Sequence, residues 1–143
     1  MLTDQIAKQT GPSWHLDVSC STRANLLMIG PADVTAMLLE SVRPQLEEPV
    51  VTLRGGEPLG LPPGRPGTLI VNNLWLLTPA EQTELNEALG EKLSGTQVIS
   101  TSATRLIPML QEGRFLDTLY YRLNTVYVDL GDSPSSRVGD DIR

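Results

Sequence analysis

An α/β sandwich around a five-stranded parallel sheet is the fold class this sequence predicts, on three observations. Most of five short strand-like runs are continuously apolar rather than alternating, which is the pattern of strands covered on both faces. Amphipathic helical stretches fall between several of them. The 143 residues suit one domain with one sizeable core. Alternating strands and helices connect by right-handed crossovers, so helices on both faces of the sheet make three layers.

The strand runs are Leu26–Ile29, Val50–Leu53, Leu69–Asn72, Gln97–Thr101 and Val126–Leu130. After the first, Val34, Leu38 and Val42 recur every four residues with Met37 alongside, so a helix is predicted there. Asp33 is its expected N-cap and Pro44 its stop. After the third strand, Thr78 and Glu81 form a capping box and Pro79 takes the first helical position. Leu85, Ala88, Leu89 and Leu93 give this helix its apolar stripe, and Gly95 is expected to close it. Two further helices are predicted at about residues 104–111, where Pro108 is a potential break, and about 115–122. The segment Arg54–Gly67 is rich in glycine and proline and has no helical period. It predicts a long loop joining parallel strands without a helix.

Composition excludes several functions. No apolar run approaches the roughly 18 residues of a membrane span. The first residues lack the basic start and apolar stretch of a signal peptide. A single cysteine, Cys20, excludes an intramolecular disulfide and fits a cytoplasmic protein. Net charge is −6 and the cations are scattered, which disfavours nucleic-acid binding by this chain. His15 and Cys20 are alone of their kinds, so they offer no metal set and no Ser-His-Asp hydrolase. No two carboxylates stand at a spacing that suggests paired acid-base work. The expected organisation is an N-terminal extension over 1–25, a core over 26–130 and a polar, disordered tail over 131–143.

The sequence from Phe115 to Asn124, FLDTLYYRLN, resembles the "G-x-F-R-x-D-L-Y-Y-R-L-N" segment of AAA+ domains in bacterial sigma-54-dependent transcription activators. Gly67 to Leu74, GTLIVNNL, is similar to their "G-T-L-F-L-D-E-I" Walker B strand, with Gln82 and Leu85 in the helix after it. Val98 to Ala103, VISTSA, looks like "V-I-A-A-T-N", followed by the matching Arg105 and Leu106. Leu26 to Gly30 matches the strand that leads into Walker A. These blocks occur in order over roughly residues 26–130. The resemblance implies a P-loop NTPase fold of the AAA+ type, with that family's strand order. Spacing alone also allows a flavodoxin-like order.

Departures from the family pattern fall on the chemistry. A phosphate loop needs glycines to turn backbone N–H groups inward, a lysine for the β and γ phosphates, and a hydroxyl for magnesium. Here the loop would be Gly30, Pro31, Ala32, Asp33, Val34, Thr35, Ala36 and Met37. Ala36 stands for the lysine and Met37 for the hydroxyl residue. The two Walker B carboxylates correspond to Asn72 and Asn73, whose amides carry no charge for Mg²⁺ and are poor proton acceptors. The sensor asparagine corresponds to Ala103. Leu116 replaces the first finger arginine, and only Arg122 is kept. Phosphoryl transfer needs these groups together, so the expectation is a pseudo-ATPase without bound ATP or magnesium.

The sigma-engaging "G-A-F-T-G-A" loop of that family is replaced by Arg54–Gly67, and the family's helical lid domain is not expected after the last strand. Direct contact with sigma-54 is therefore not expected. The leading reading is an inactive AAA+-like core in bacterial transcription control. It would act through protein contacts, with an AAA+ activator or with itself. The alternatives are a divergent ATPase completed by a partner, and a separate binding module that reuses the fold. Asn72 and Asn73 read either as the end of a strand before a turn or as a residual ligand contact. Arg122 reads as a structural arginine, a surface residue or a contact to a neighbouring subunit.

Overall fold

A computed structural model of the chain describes residues 22–131. Residues 1–21 of the expected extension, with His15 and Cys20, lie outside the described residues, as do residues 132–143 of the expected tail.

Five strands form one sheet: β1 (Leu26–Ile29), β2 (Val50–Arg54), β3 (Thr68–Asn72), β4 (Gln97–Ser102) and β5 (Val126–Asp129). Their order is β2-β3-β4-β1-β5, and every pairing is parallel. This excludes the flavodoxin-like order 2-1-3-4-5. The predicted strands are all present, with ends shifted by one residue at most. Register places Ile29 beside Ser102 on one side and Asp129 on the other.

The helices are α1 (Ala32–Val42), α2 (Pro79–Gly90), α3 (Ile107–Gln111) and α4 (Asp117–Leu123). They cover both faces, which is why the strand runs are continuously apolar. Leu26, Met28, Ile70, Ile99 and Val128 meet Leu39, Val42 and Leu46 from α1 and the turn after it. The opposite face, with Leu27, Ile29, Leu69, Val71 and Val98, meets Leu85 and Leu89 of α2 and Leu119 and Leu123 of α4. Each fully buried leucine contributes on the order of 2 kcal/mol of transfer free energy.

Between β2 and β3 there is no helix, as the composition of Arg54–Gly67 predicts. Leu59 and Leu61 of this loop pack on the α2 and α4 face instead. Gly55 is required where the loop leaves β2, because a Cβ there would collide with the Asn73 carbonyl oxygen.

Four helical expectations need correction. Asp33 is not the N-cap of α1; Pro31 is, and Asp33 lies exposed in the first turn. The buried face of α1 is Thr35, Leu39 and Val42, while Met37 is 67% exposed. The buried stripe is offset by one residue from the expected Val34 and Leu38, which leaves Met37 on the solvent side. Next, α2 stops at Gly90 rather than at Gly95. Leu93 is buried from the turn beyond, where its N–H bonds back to the Ala88 carbonyl, and Gly95 at φ +86° ends that turn. Finally, α3 is only five residues, with Pro108 in its first turn where a missing N–H is harmless.

The capping box of Thr78 and Glu81 is present with both bonds. One turn further on, Gln82 is buried, and its amide ties three segments together. Its Nε2 donates to the Leu77 and Arg114 carbonyls, each at 3.1 Å, and its Oε1 accepts from Leu116 N–H at 2.7 Å. Gln82→Leu keeps the volume but leaves these groups unpaired. It should destabilise the fold by about 3 kcal/mol in urea unfolding; a loss under about 1 kcal/mol would show that water reaches them.

Candidate functional site

In open parallel sheets, ligands bind beyond the carboxyl ends of the strands. A cavity of about 570 Å³ lies at that edge here, between α1, the ends of β2, β3 and β4, and the start of the long loop. Gly30, Ala32, Thr35, Ala36, Asn72, Asn73 and Ala103 all border it. The expected site residues thus converge, except Pro31, Asp33, Val34 and Met37, which do not line the cavity, and Arg122.

The turn from β1 into α1 consists of Gly30 and Pro31 only. Six of the eight residues considered for a phosphate loop, Ala32 to Met37, are helical. A helical turn therefore stands where a glycine-rich phosphate loop would. Val34 and Thr35 N–H groups both bond to the Pro31 carbonyl, and Gly30 N–H bonds to the Ser102 carbonyl. The Thr35 hydroxyl is buried and donates to the Ala32 carbonyl. Ala36 and Asp33 are exposed, and the carboxylate of Asp33 opposes the attraction of the helix N-terminus for an anion.

Gly30 has a packing reason to be glycine. A Cβ there would lie 2.8 Å from Leu130 Cβ. Leu130 leans over the end of β1, and its N–H bonds to the Ile29 carbonyl at 2.7 Å. Arg105, just after β4, reaches Asp129 at the end of β5 with Nε–Oδ2 2.7 Å and Nη2–Oδ1 3.3 Å. Because β1 lies between β4 and β5, this bidentate pair crosses the carboxyl end of β1. Burial pulls the Asp129 carboxyl upward, but hydrogen bonds from Arg105 and from Gly131 N–H outweigh it and hold its pKa below the ordinary value. Tyr127 is pushed up to about 12, by burial first and then by the charge on Asp129. The sequence reading missed Leu130 and this ion pair. Their only sequence signal was position, since each follows or ends an apolar strand run.

Asn72 ends β3 half-buried, and its Oδ1 accepts from the buried Thr101 hydroxyl at 2.9 Å. Asn73 follows in the left-handed region, φ 56° and ψ 48°, and begins the 3₁₀ turn Leu74–Leu76. Asparagine enters that region more readily than other side-chain-bearing residues, so the conformation accounts for this residue type. Ala103 is exposed beyond β4 and offers no polar group. Among the described residues, no group of three histidine, cysteine, aspartate or glutamate side chains could hold a metal ion.

Arg122 lies at the other edge of the sheet, where the strands begin. It is exposed, its Nε donates to Asn86 Oδ1 of α2 at 3.2 Å, and its guanidinium runs beside Gly90. Its carbonyl accepts from Asn25 Nδ2, so β1 anchors the end of α4.

Comparison with known proteins agrees with this geometry. The family model described as the sigma-54 interaction domain matches residues 21–132. No curated protein matches the chain significantly. Among solved structures, NtrX from Brucella abortus in complex with ATP has a TM-score of 0.64 at 17% identity, covering 91% of this chain and 39% of that one. The same protein in complex with ADP has a TM-score of 0.63 at 19% identity, covering 85% and 36%. The P-loop NTPase domain of a sigma-54 activator from E. coli has a TM-score of 0.58 at 16% identity, covering 85% and 98%. The chain therefore spans well under half of the NtrX chains. Among the described residues, no helix is long and apolar enough to cross a membrane.

Two predictions follow from the site. Asn73→Ala should cost about 1 kcal/mol of stability, whereas Asn73→Gly should cost only a few tenths; equal losses would mean that the amide itself is needed. The lowered pKa of Asp129 contributes stability that is complete above its unfolded value, about 3.9. That contribution disappears as pH falls through the lower folded value. Asp129→Asn should cost up to about 1 kcal/mol at neutral pH and flatten the stability profile below about pH 4. An unchanged acid profile would remove Asp129 from the account.

Proposed function

This chain belongs to the sigma-54 interaction domain family, and from that premise we propose that it is an AAA+ core that does not turn over ATP and works through protein contacts in transcription regulation. One observation carries the reading: β1 runs into α1 through the two-residue turn Gly30-Pro31, with Leu130 packed on Gly30, where a nucleotide-binding core needs an open phosphate loop.

The residues present do not fit Mg-ATP. No lysine stands at the start of α1, where Ala36 is exposed. Pro31 removes a donor, and the Val34 and Thr35 N–H groups are taken by the Pro31 carbonyl. Asn72 and Asn73 have no charge to balance Mg²⁺, and Ala103 provides no sensor group. Each loss alone weakens phosphoryl transfer; together they remove the metal, the phosphate cradle and the group that positions water.

The folded unit is residues 26–130, and its setting is the bacterial cytoplasm. Its partner is an AAA+ activator or a second copy of this chain. Arg122 supports this, because it is exposed at the edge opposite the cavity, where a neighbouring subunit can reach it. The Arg54–Gly67 loop has no aromatic tip, which argues against direct engagement of sigma-54.

The test is hydrolysis of ATP by the pure protein with magnesium, alone and mixed with candidate AAA+ activators. The expected rate is background in the first case, with no gain attributable to this chain in the second. Magnesium-dependent turnover by the pure chain would refute the proposal.

A further inference from the structure

We propose that the N-terminal edge of the sheet carries an arginine notch that docks an acidic segment of a partner protein. A recess of about 320 Å³ opens there, between the end of α2, the turn Ser94–Thr96 and the start of β1. Arg23 and Arg122 line it. Arg65, from the long loop, reaches the same turn: its Nη1 donates to the Ser94 carbonyl at 2.8 Å and would lie 3.1 Å from a Cβ on Gly95. Three of the chain's eleven cationic residues thus converge on one turn of a protein with net charge −6.

Two of them are held but not neutralised. Among the described residues, Arg122 bonds to an amide oxygen and Arg65 to a backbone carbonyl, and neither has a carboxylate partner. Arg23 pairs with Glu47 at 2.9 Å and donates to the Gly67 carbonyl. Each guanidinium is therefore positioned by one or two bonds and, with five donors, has N–H groups left over. Planar guanidinium forks suit carboxylates in two-point contact.

Small residues at Ser94, Gly95 and Thr96 leave the recess open. Its size suits one or two carboxylate side chains. Nucleic acid is the poorer fit, because a phosphate backbone approaching this edge meets an otherwise acidic protein. Acidic side chains presented by a folded partner need only reach the recess itself. The inference rests on the protein-contact half of the proposed function and is independent of whether ATP is hydrolysed.

The experiment is fluorescence anisotropy of a labelled hexaglutamate peptide titrated with the full chain at low and at physiological salt. The expected result is saturable binding that weakens with salt and falls about tenfold in both Arg122→Gln and Arg65→Gln. Arg43→Gln, at a residue that follows α1 and borders the other cavity rather than the recess, should leave it unchanged. Thermal unfolding of each variant separates lost binding from lost folding, and Arg65, on the exposed loop, gives a second variant should Arg122→Gln unfold. The proposal is overturned by no binding at millimolar peptide, by equal loss in Arg43→Gln, or by inorganic phosphate or single-stranded DNA binding more tightly than the peptide. A negative result here with background ATPase activity would sink the notch and leave the pseudo-ATPase reading standing.

Discussion

Leu130 rests on Gly30 because glycine leaves no Cβ between them, and that contact governs the carboxyl edge of the sheet. It brings the residues after β5 over the end of β1. Asp129, one residue earlier, is thereby placed for Arg105 to reach it from the far side of β1. The helix α1 then starts after two residues instead of after an open loop. Local geometry and side-chain chemistry act in the same direction here. A two-residue turn containing Pro31 offers fewer donors than a glycine-rich loop, and the ion pair spans the end of the strand beside it.

The two ends of the sheet consequently differ in character. The carboxyl end has a polar cavity in which Asn72 and Thr101 satisfy each other and Asn73 serves the backbone. The amino end is stitched by amides: Asn25 binds β4 and α4 at once, through Val98 N–H and the Arg122 carbonyl. Gln97 adds a bond to the Ala24 carbonyl. These side chains fix the backbone from which Arg122 projects.

Much of this was legible in the sequence, for identifiable reasons. Continuous apolar runs such as Leu69–Val71 announce a strand covered on both faces, and the capping box at Thr78 marks a helix start almost without tertiary context. The glycine and proline content of Arg54–Gly67 likewise gave a loop. The start of α1 was misplaced because Asp33 is a good N-cap in isolation, whereas the helix begins directly after Pro31, the actual cap residue. The Arg105–Asp129 pair was invisible because strand order places the two residues on either side of β1, and order was available only through resemblance. The arginines of the amino edge lie far apart in the chain, at positions 23, 65 and 122, so they read as scattered until the sheet assembled them.

The most direct measurement is amide NMR of residues 29–37 and 101–105 during titration with Mg-ATP. The account predicts that these resonances stay in place up to millimolar nucleotide, because the two-residue turn has neither a glycine-rich loop nor a lysine to hold phosphate. Saturable shifts centred on Gly30 and the first turn of α1 would contradict it. They would mean that Leu130 and the Arg105–Asp129 pair open to admit a nucleotide.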